Sequence, residues 1–221
     1  SDSELPHVRS DIKDYLQQGD DNLIRLYASY FFMPFEEFYF RASLGYFEEM
    51  YGGFGGEFLY RPFNSRFAAG FDINRVWKRE FEQRLGFLDY EVTTGHVNLF
   101  YRFPFHNLLG EVNIGQYLAR DRGVTFNLSR SFDNGVRVGM WATLTNLSAA
   151  QFGEGSFDKG IFTSIPFHIF LPVSTTAHGN FGFRPLTRDG GQKVGLPGRL
   201  YDVTGNANLD TVVHKWEGLL D

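Results

Sequence analysis

Ten stretches of this chain alternate apolar and polar residues with a period of two, most of them separated by turn-type residues. From Glu37 the chain reads Glu-Phe-Tyr-Phe-Arg-Ala-Ser-Leu-Gly-Tyr. Successive side chains on a strand point to opposite faces, so Phe38, Phe40, Ala42, Leu44 and Tyr46 share one face. Glu37, Tyr39, Arg41, Ser43 and Gly45 share the other. Repeated this often, the pattern predicts an all-β, antiparallel, up-and-down barrel of about 10–12 strands. The 25 Gly residues supply turns and close strand contacts.

The predicted strands cover residues 22–33, 37–47, 53–61, 65–77, 90–103, 108–120, 123–132, 136–146, 157–170 and 179–187. Residues 78–84 read as a loop or hairpin rim. Asp133-Asn134-Gly135 reads as a type I′ hairpin turn. Before the strands, Ser10 caps a short helix that stops at Gly19. Val8, Ile12, Tyr15 and Leu16 form its narrow apolar stripe, which suits a surface helix at the domain edge or a plug. The expected organisation is a helix and lead-in over 1–21, a barrel over 22–187 and a polar tail over 188–221. Ser1 starts no signal peptide, so the chain reads as a processed form or a fragment.

Periodicity does not say which face is outside. A soluble barrel binding a hydrophobic ligand alternates too, with its apolar face inward. Three features favour a transmembrane barrel. The strands are about 9–14 residues long, longer than the usual 5–6 and suited to a tilted bilayer crossing. The polar face holds Gly, Ser, Thr, Asn and charges of both signs, with no lysine-rich surface. The apolar face has almost no charge at its central positions, where one Arg or Lys would cost about 2–4 kcal/mol in a bilayer. Aromatics at 18% suit the girdles of such a barrel. The mean hydropathy of -0.26 is no objection, because an alternating strand averages its two faces.

Composition excludes several chemistries. With no Cys there is no disulfide, thiolate metal site or cysteine nucleophile. A net charge of -5 without a basic run argues against nucleic acid.

Three stretches carry a resemblance. They are Arg75-Val76-Trp77 through Thr93-Thr94-Gly95-His96, the loop Gly153-Glu154-Gly155-Ser156-Phe157-Asp158-Lys159-Gly160, and the run Arg184-Pro185-Leu186-Thr187-Arg188-Asp189-Gly190-Gly191-Gln192. Together they resemble the YjbH/GfcD family over about residues 10–201. The resemblance implies the C-terminal portion of a longer outer-membrane protein with two barrel regions, encoded with exopolysaccharide or group 4 capsule systems. It implies a bacterial outer-membrane location and a role in polysaccharide secretion and biofilm. Polysaccharide, outer-membrane lipid and periplasmic or lipoprotein partners are the implied contacts. It supplies no catalytic residues and no cofactor. Many outer-membrane barrels end in an aromatic residue, whereas this chain ends Leu219-Leu220-Asp221, so the tail either folds back or stops short of the native end.

On the polar face, Arg25, Arg41, Arg61, Arg66, Arg102, Arg137 and Arg184 accompany Glu37, Glu57, Asp72, Glu111 and Asp158. Charges of both signs in a narrow interior pair across strands. They either fill the barrel and satisfy one another, or form a path for an anionic polymer, since arginine forks bind carboxylates bidentately. Tyr27, Tyr39, Tyr117 and Trp141 either fill space or stack on sugar rings. About ten strands leave an interior largely filled by side chains, so a polymer is not expected to thread this domain alone. Ser164 and His168 share a face, but four residues along a strand is about 13 Å, too far to bond. His96, His106 and His178 show no acid–His–Ser spacing, so no catalytic residue is assigned. A lipid- or polysaccharide-modifying barrel enzyme is the alternative. Asp189 to Gln192 read as a tight turn anchoring the tail, or as a weak cation loop without an EF-hand ligand set.

Overall fold

The computed structural model describes residues 5–18, 22–148, 152, 157–167, 178–185 and 189–205. Ten strands run up and down in chain order in one antiparallel sheet. They are β1 (Leu26–Phe35), β2 (Phe38–Tyr46), β3 (Tyr51–Tyr60), β4 (Phe67–Arg79), β5 (Phe87–Arg102), β6 (Leu108–Gln116), β7 (Arg122–Ser131), β8 (Arg137–Thr145), β9 (Asp158–Pro166) and β10 (His178–Phe183). The described helices are α1 (Ile12–Gln18) and α2 (Leu200–Val203). Neither is long and apolar enough to cross a membrane, a criterion that does not bear on strands.

The sheet is curled. Laid flat, β2 and β9 would stand about 34 Å apart. Gly191 lies against Asp158 of β9, while Gly195, four residues on, lies against Glu48 just past β2. Four residues reach about 14 Å at most, so the sheet wraps round this segment. The closed barrel expected from the repeat is not reached: among the described residues no ladder joins β1 to β10. The two edges are unequal, ten residues against six.

The faces are sorted as the alternation requires. Leu44, Phe71, Ile73, Met140, Leu144 and Phe181 point away from the concave side and are exposed. Arg41, Asn98, Glu111, Asn113 and Thr143 point into it and are buried. A soluble barrel with enclosed phenylalanines is therefore not the arrangement observed. Two apolar clusters lie on the concave side. Val8 and Tyr15 join Phe47, Met50, Tyr51, Val76, Val92 and Leu118 at the α1 end. Leu200 and Tyr201 join Leu59, Ala68 and Phe100 at the opposite end.

Three local expectations change. Leu16 is exposed, so the α1 stripe is Val8, Ile12 and Tyr15, packed over the end of the sheet. Leu118, expected on the outer face, is buried because the chain has already left β6 and turned inward. The turn after β7 is a three-residue loop, closed by Phe132 N–H to Val136 (2.8 Å) and Gly135 N–H to Phe132 (2.8 Å). Only Gly135 has positive φ there, the signature of a type I turn with a following bulge and not of type I′. The described part of the polar tail folds back: residues 189–205 lie inside the curl, and residues 206–221 lie outside the described residues.

Gly45 on β2 adopts φ +132, and a Cβ there would stand 2.4 Å from the Leu26 carbonyl oxygen. Gly56 on β3 has nothing nearer than 3.7 Å. Gly45→Ala is expected to lower the stability by about 1–3 kcal/mol, and Gly56→Ala to stay within about 0.5 kcal/mol. Denaturant midpoints followed by tryptophan fluorescence check the contrast.

Candidate functional site

The candidate site is the polar layer between the two apolar clusters. Its wall comes from the inward positions of β2 to β9, and its centre is the segment 189–204. At the α1 end the Asp189 carboxylate accepts N–H bonds from Val8 (2.8 Å), Arg9 (2.7 Å) and Ser10 (2.9 Å). The Ser10 hydroxyl donates to its second oxygen at 2.8 Å. Leu118 N–H donates to the Gln192 carbonyl at 2.9 Å, and Gly191 N–H to Asp121 at 2.7 Å. The turn expected at Asp189 to Gln192 thus anchors the tail. No group of three metal-ligating side chains gathers there or elsewhere among the described residues.

Further in, Arg41 donates to the carbonyls of Pro197 (2.6 Å) and Gly198 (2.9 Å) and pairs with Glu57 at 2.8 Å. Arg41 and Glu57 are register partners on β2 and β3, so the ladder itself brings the charges together. Glu57 also accepts the Leu200 N–H at 3.0 Å. Glu111 on β6 holds Arg199 through two bonds, 2.9 and 3.0 Å. At the opposite end Arg61 donates to the Tyr201 carbonyl (2.8 Å) and Thr204 (3.0 Å), its guanidinium 4.2 Å above the Tyr201 ring. Arg137 meets Asp202 at 3.2 Å.

Behind these anchors runs an amide chain. Asn98 donates to Asp72 at 2.8 Å, and Asn113 donates to Asn98 and to Glu111, each at 2.8 Å. Lys193 Nζ donates to Asn113 at 2.5 Å. Asp72 and His96 are register partners 3.3 Å apart, an acid–histidine contact that the linear spacing concealed. His96 Nε2 and Thr94 Oγ1 are buried without a partner among the described residues. They face a cavity of about 80 Å³ shared with Asp72, Asn98, Lys193 and Arg199. That volume suits about two water molecules bridging polar atoms, and it is too small for a sugar ring.

The other nominated residues are scattered. Arg25 precedes β1, donates to the Phe47 carbonyl at 2.8 Å and borders a 260 Å³ cavity beside α1. Arg66 is exposed in the β3–β4 turn and Arg102 closes β5 at the same end, so neither lines the centre. Glu37 holds the Phe63 N–H at 2.9 Å in the rim. Trp141 donates to Asp158 at 3.0 Å, and Arg184 meets Asp158 at 3.3 Å. Tyr27 and Tyr117 pack on Phe47 and His96, and Tyr39 joins the Leu59 cluster, so these rings are occupied. His168 lies outside the described residues, as does the side chain of His178.

Lys193, Arg199 and Tyr201 were not nominated from the sequence, and Asp189 was read only as part of the anchoring turn or cation loop. Burial pushes the Lys193 ammonium down to about 8, only partly offset by Glu111. Burial also opposes the Arg199 charge, but Glu111 and then Asp202 outweigh it and hold its pKa above the ordinary arginine value. The Glu111 side chain is 2% exposed, whereas Arg199 keeps 38%.

A family model described as "Exopolysaccharide biosynthesis protein YbjH" matches residues 1–206. The "Uncharacterized lipoprotein YjbH" of Escherichia coli (strain K12) is 40% identical over 213 residues, covering 95% of this chain and 30% of that protein. No solved structure matches.

Arg199→Ala leaves Glu111 enclosed and unpaired. The expected loss is about 2 kcal/mol, below the 3–5 kcal/mol of a fully buried pair because Arg199 is partly open; denaturant unfolding measures it. Lys193 sets a pH dependence. Below about pH 8 it is charged folded and unfolded, and the burial cost is complete. Between about pH 8 and the ordinary lysine value of 10.5 the unfolded chain binds more protons, so stability rises with pH. Unfolding midpoints should climb from pH 8 towards about 10, and Lys193→Met should flatten the climb; an unchanged slope in the variant would contradict this assignment. The family model over residues 1–206 and the relative at 40% identity show that this chain belongs to the YjbH family of exopolysaccharide biosynthesis proteins.

Proposed function

We propose that the chain is a β-barrel of the bacterial outer membrane, its sheet closing edge to edge in lipid, and that it serves exopolysaccharide or capsule secretion by guiding polymer or recruiting partners. The observation that carries this reading is the inverted burial. Phe71, Ile73, Val97, Ile114, Met140 and Leu144 lie open on the convex face, while Arg61 is 2% exposed inside. A continuous apolar surface of this kind needs a covering, and the central convex positions carry no charge that hydrocarbon would reject.

Two further features support it. Rings collect near both ends of the band: Tyr46, Trp77 and Phe87 at the α1 end, and Phe38, Tyr60, Tyr101 and Phe103 at the other. Such rings suit the two interfaces of a bilayer. Strands β1 and β10 run antiparallel because ten strands alternate in direction, so closure needs no crossover. The relative's name includes the word lipoprotein, in keeping with a membrane-associated place.

The role is binding and scaffolding, not bond chemistry. The Asp72–His96 contact faces a cavity of about 80 Å³ that admits no sugar or acyl group. The polar residues nominated for polymer contact are engaged by the chain itself, so partner recruitment and gated guidance fit better than a permanently open path.

The natural absence of cysteine allows a direct test. Single nitroxide labels at Leu44, Val97 and Met140 in lipid vesicles are expected to be accessible to oxygen and shielded from a water-soluble nickel chelate. Labels at Ser43, Asn98 and Thr143 should show neither contact with acyl chains nor the same oxygen response. Water-exposed labels at the first three positions would overturn the reading.

A further inference from the structure

We propose that residues 189–205 are a displaceable strap that closes the polar interior, and that an extended carboxylate-bearing saccharide opens it by competing for its arginine anchors. The inference rests on the membrane-barrel reading and concerns the regulation of that same interior.

The strap runs the height of the curl, from Asp189 at the α1 end to Thr204 beside Arg61 at the other. It adds no strand to the sheet. Among the described residues a single bond, from Leu118 N–H to the Gln192 carbonyl, joins its backbone to that of the wall. Every β-ladder hydrogen bond therefore survives its departure. What holds it is side-chain chemistry: Arg41 and Arg61 on the wall grip the carbonyls of Pro197, Gly198 and Tyr201, and Glu111 grips Arg199. Its apolar contacts come from Val194 and Leu196 toward the α1 cluster and from Leu200 and Tyr201 toward the other.

The grip favours exchange with an anion. A neutral carbonyl is a weaker acceptor for a guanidinium than a carboxylate, which makes bonds roughly twice as strong. Among the described residues Arg61 Nη2 has no partner, in a residue 2% exposed, so it is a donor already dehydrated. The space vacated is that of a single polypeptide segment, irregular over residues 189–199 and ending in the one-turn α2, a width that suits a single glycan strand and not a folded partner. Asp189, held by three backbone N–H groups, is the hinge end, and the Arg61–Arg137 end is where an incoming polyanion meets the wall.

Two measurements on the full chain test this. The first needs no membrane. Leu200 is 2% exposed, so Leu200→Cys should react slowly with a maleimide in the otherwise cysteine-free protein. Arg199→Ala should speed that reaction about tenfold with the strand circular dichroism unchanged, and oligogalacturonate should speed it where dextran of equal length does not. Rates unaffected by the variant and by oligogalacturonate overturn the strap. The second is conductance in planar bilayers. The Cβ positions of Glu48 and Gly195 lie 3.7 Å apart, within disulfide range. Oxidised Glu48→Cys/Gly195→Cys protein should remain closed and the reduced form should open intermittently; a steady pore insensitive to the cross-link overturns the proposal. Protein that fails to float with lipid vesicles while Leu200→Cys still behaves as expected sinks the membrane reading and leaves the strap standing.

Discussion

A carboxylate enclosed by a curled sheet has to find a cation, and Glu111 finds Arg199 from the far end of the sequence. That bidentate pair fixes the position of the strap, and the strap fixes what the interior is. Around it stand the Arg41–Glu57 ladder pair, the Asn98–Asn113 relay and Lys193, with His96 Nε2 and Thr94 Oγ1 facing the small central cavity. The layer is expensive to desolvate and stable only as a set, since removing one partner strands the other. It follows that the interior is specified by the tail as much as by the strands.

The two faces answer different solvents. Inward, charges are paired, hydrogen-bonded and sealed above and below by the Tyr15–Tyr51 and Phe100–Tyr201 clusters. Outward, phenylalanines, leucines and isoleucines stand uncovered. In water that outer face would be an aggregation surface; in hydrocarbon it costs nothing. The proposed outer-membrane role uses this sorting.

Much of the sheet was legible in the sequence because a strand with two different surroundings must alternate. All ten strands were anticipated within a few residues of their observed ends, and the Arg41–Glu57 pairing follows from opposite charges on neighbouring strands. Of the strap, only the anchoring turn at Asp189 to Gln192 was legible. Residues 189–199 have no period, being neither strand nor helix, and their places are set by contacts with residues about as distant as 180 positions, such as Asp189 with Val8. The Asp72–His96 contact was missed for a similar reason: register, not linear spacing, brings the two together. The hairpin at Gly135 was located correctly and typed wrongly, because one glycine with positive φ suits both a bulged three-residue loop and a two-residue turn.

The most direct test of the sorting is solution NMR of the protein in lipid nanodiscs, observing methyl contacts with the acyl chains. Cross-peaks are expected from lipid methylenes to Ile73, Ile114 and Leu144, and none to Leu59 or Leu200. Cross-peaks to Leu59 and Leu200, with Ile73, Ile114 and Leu144 facing water, would contradict it.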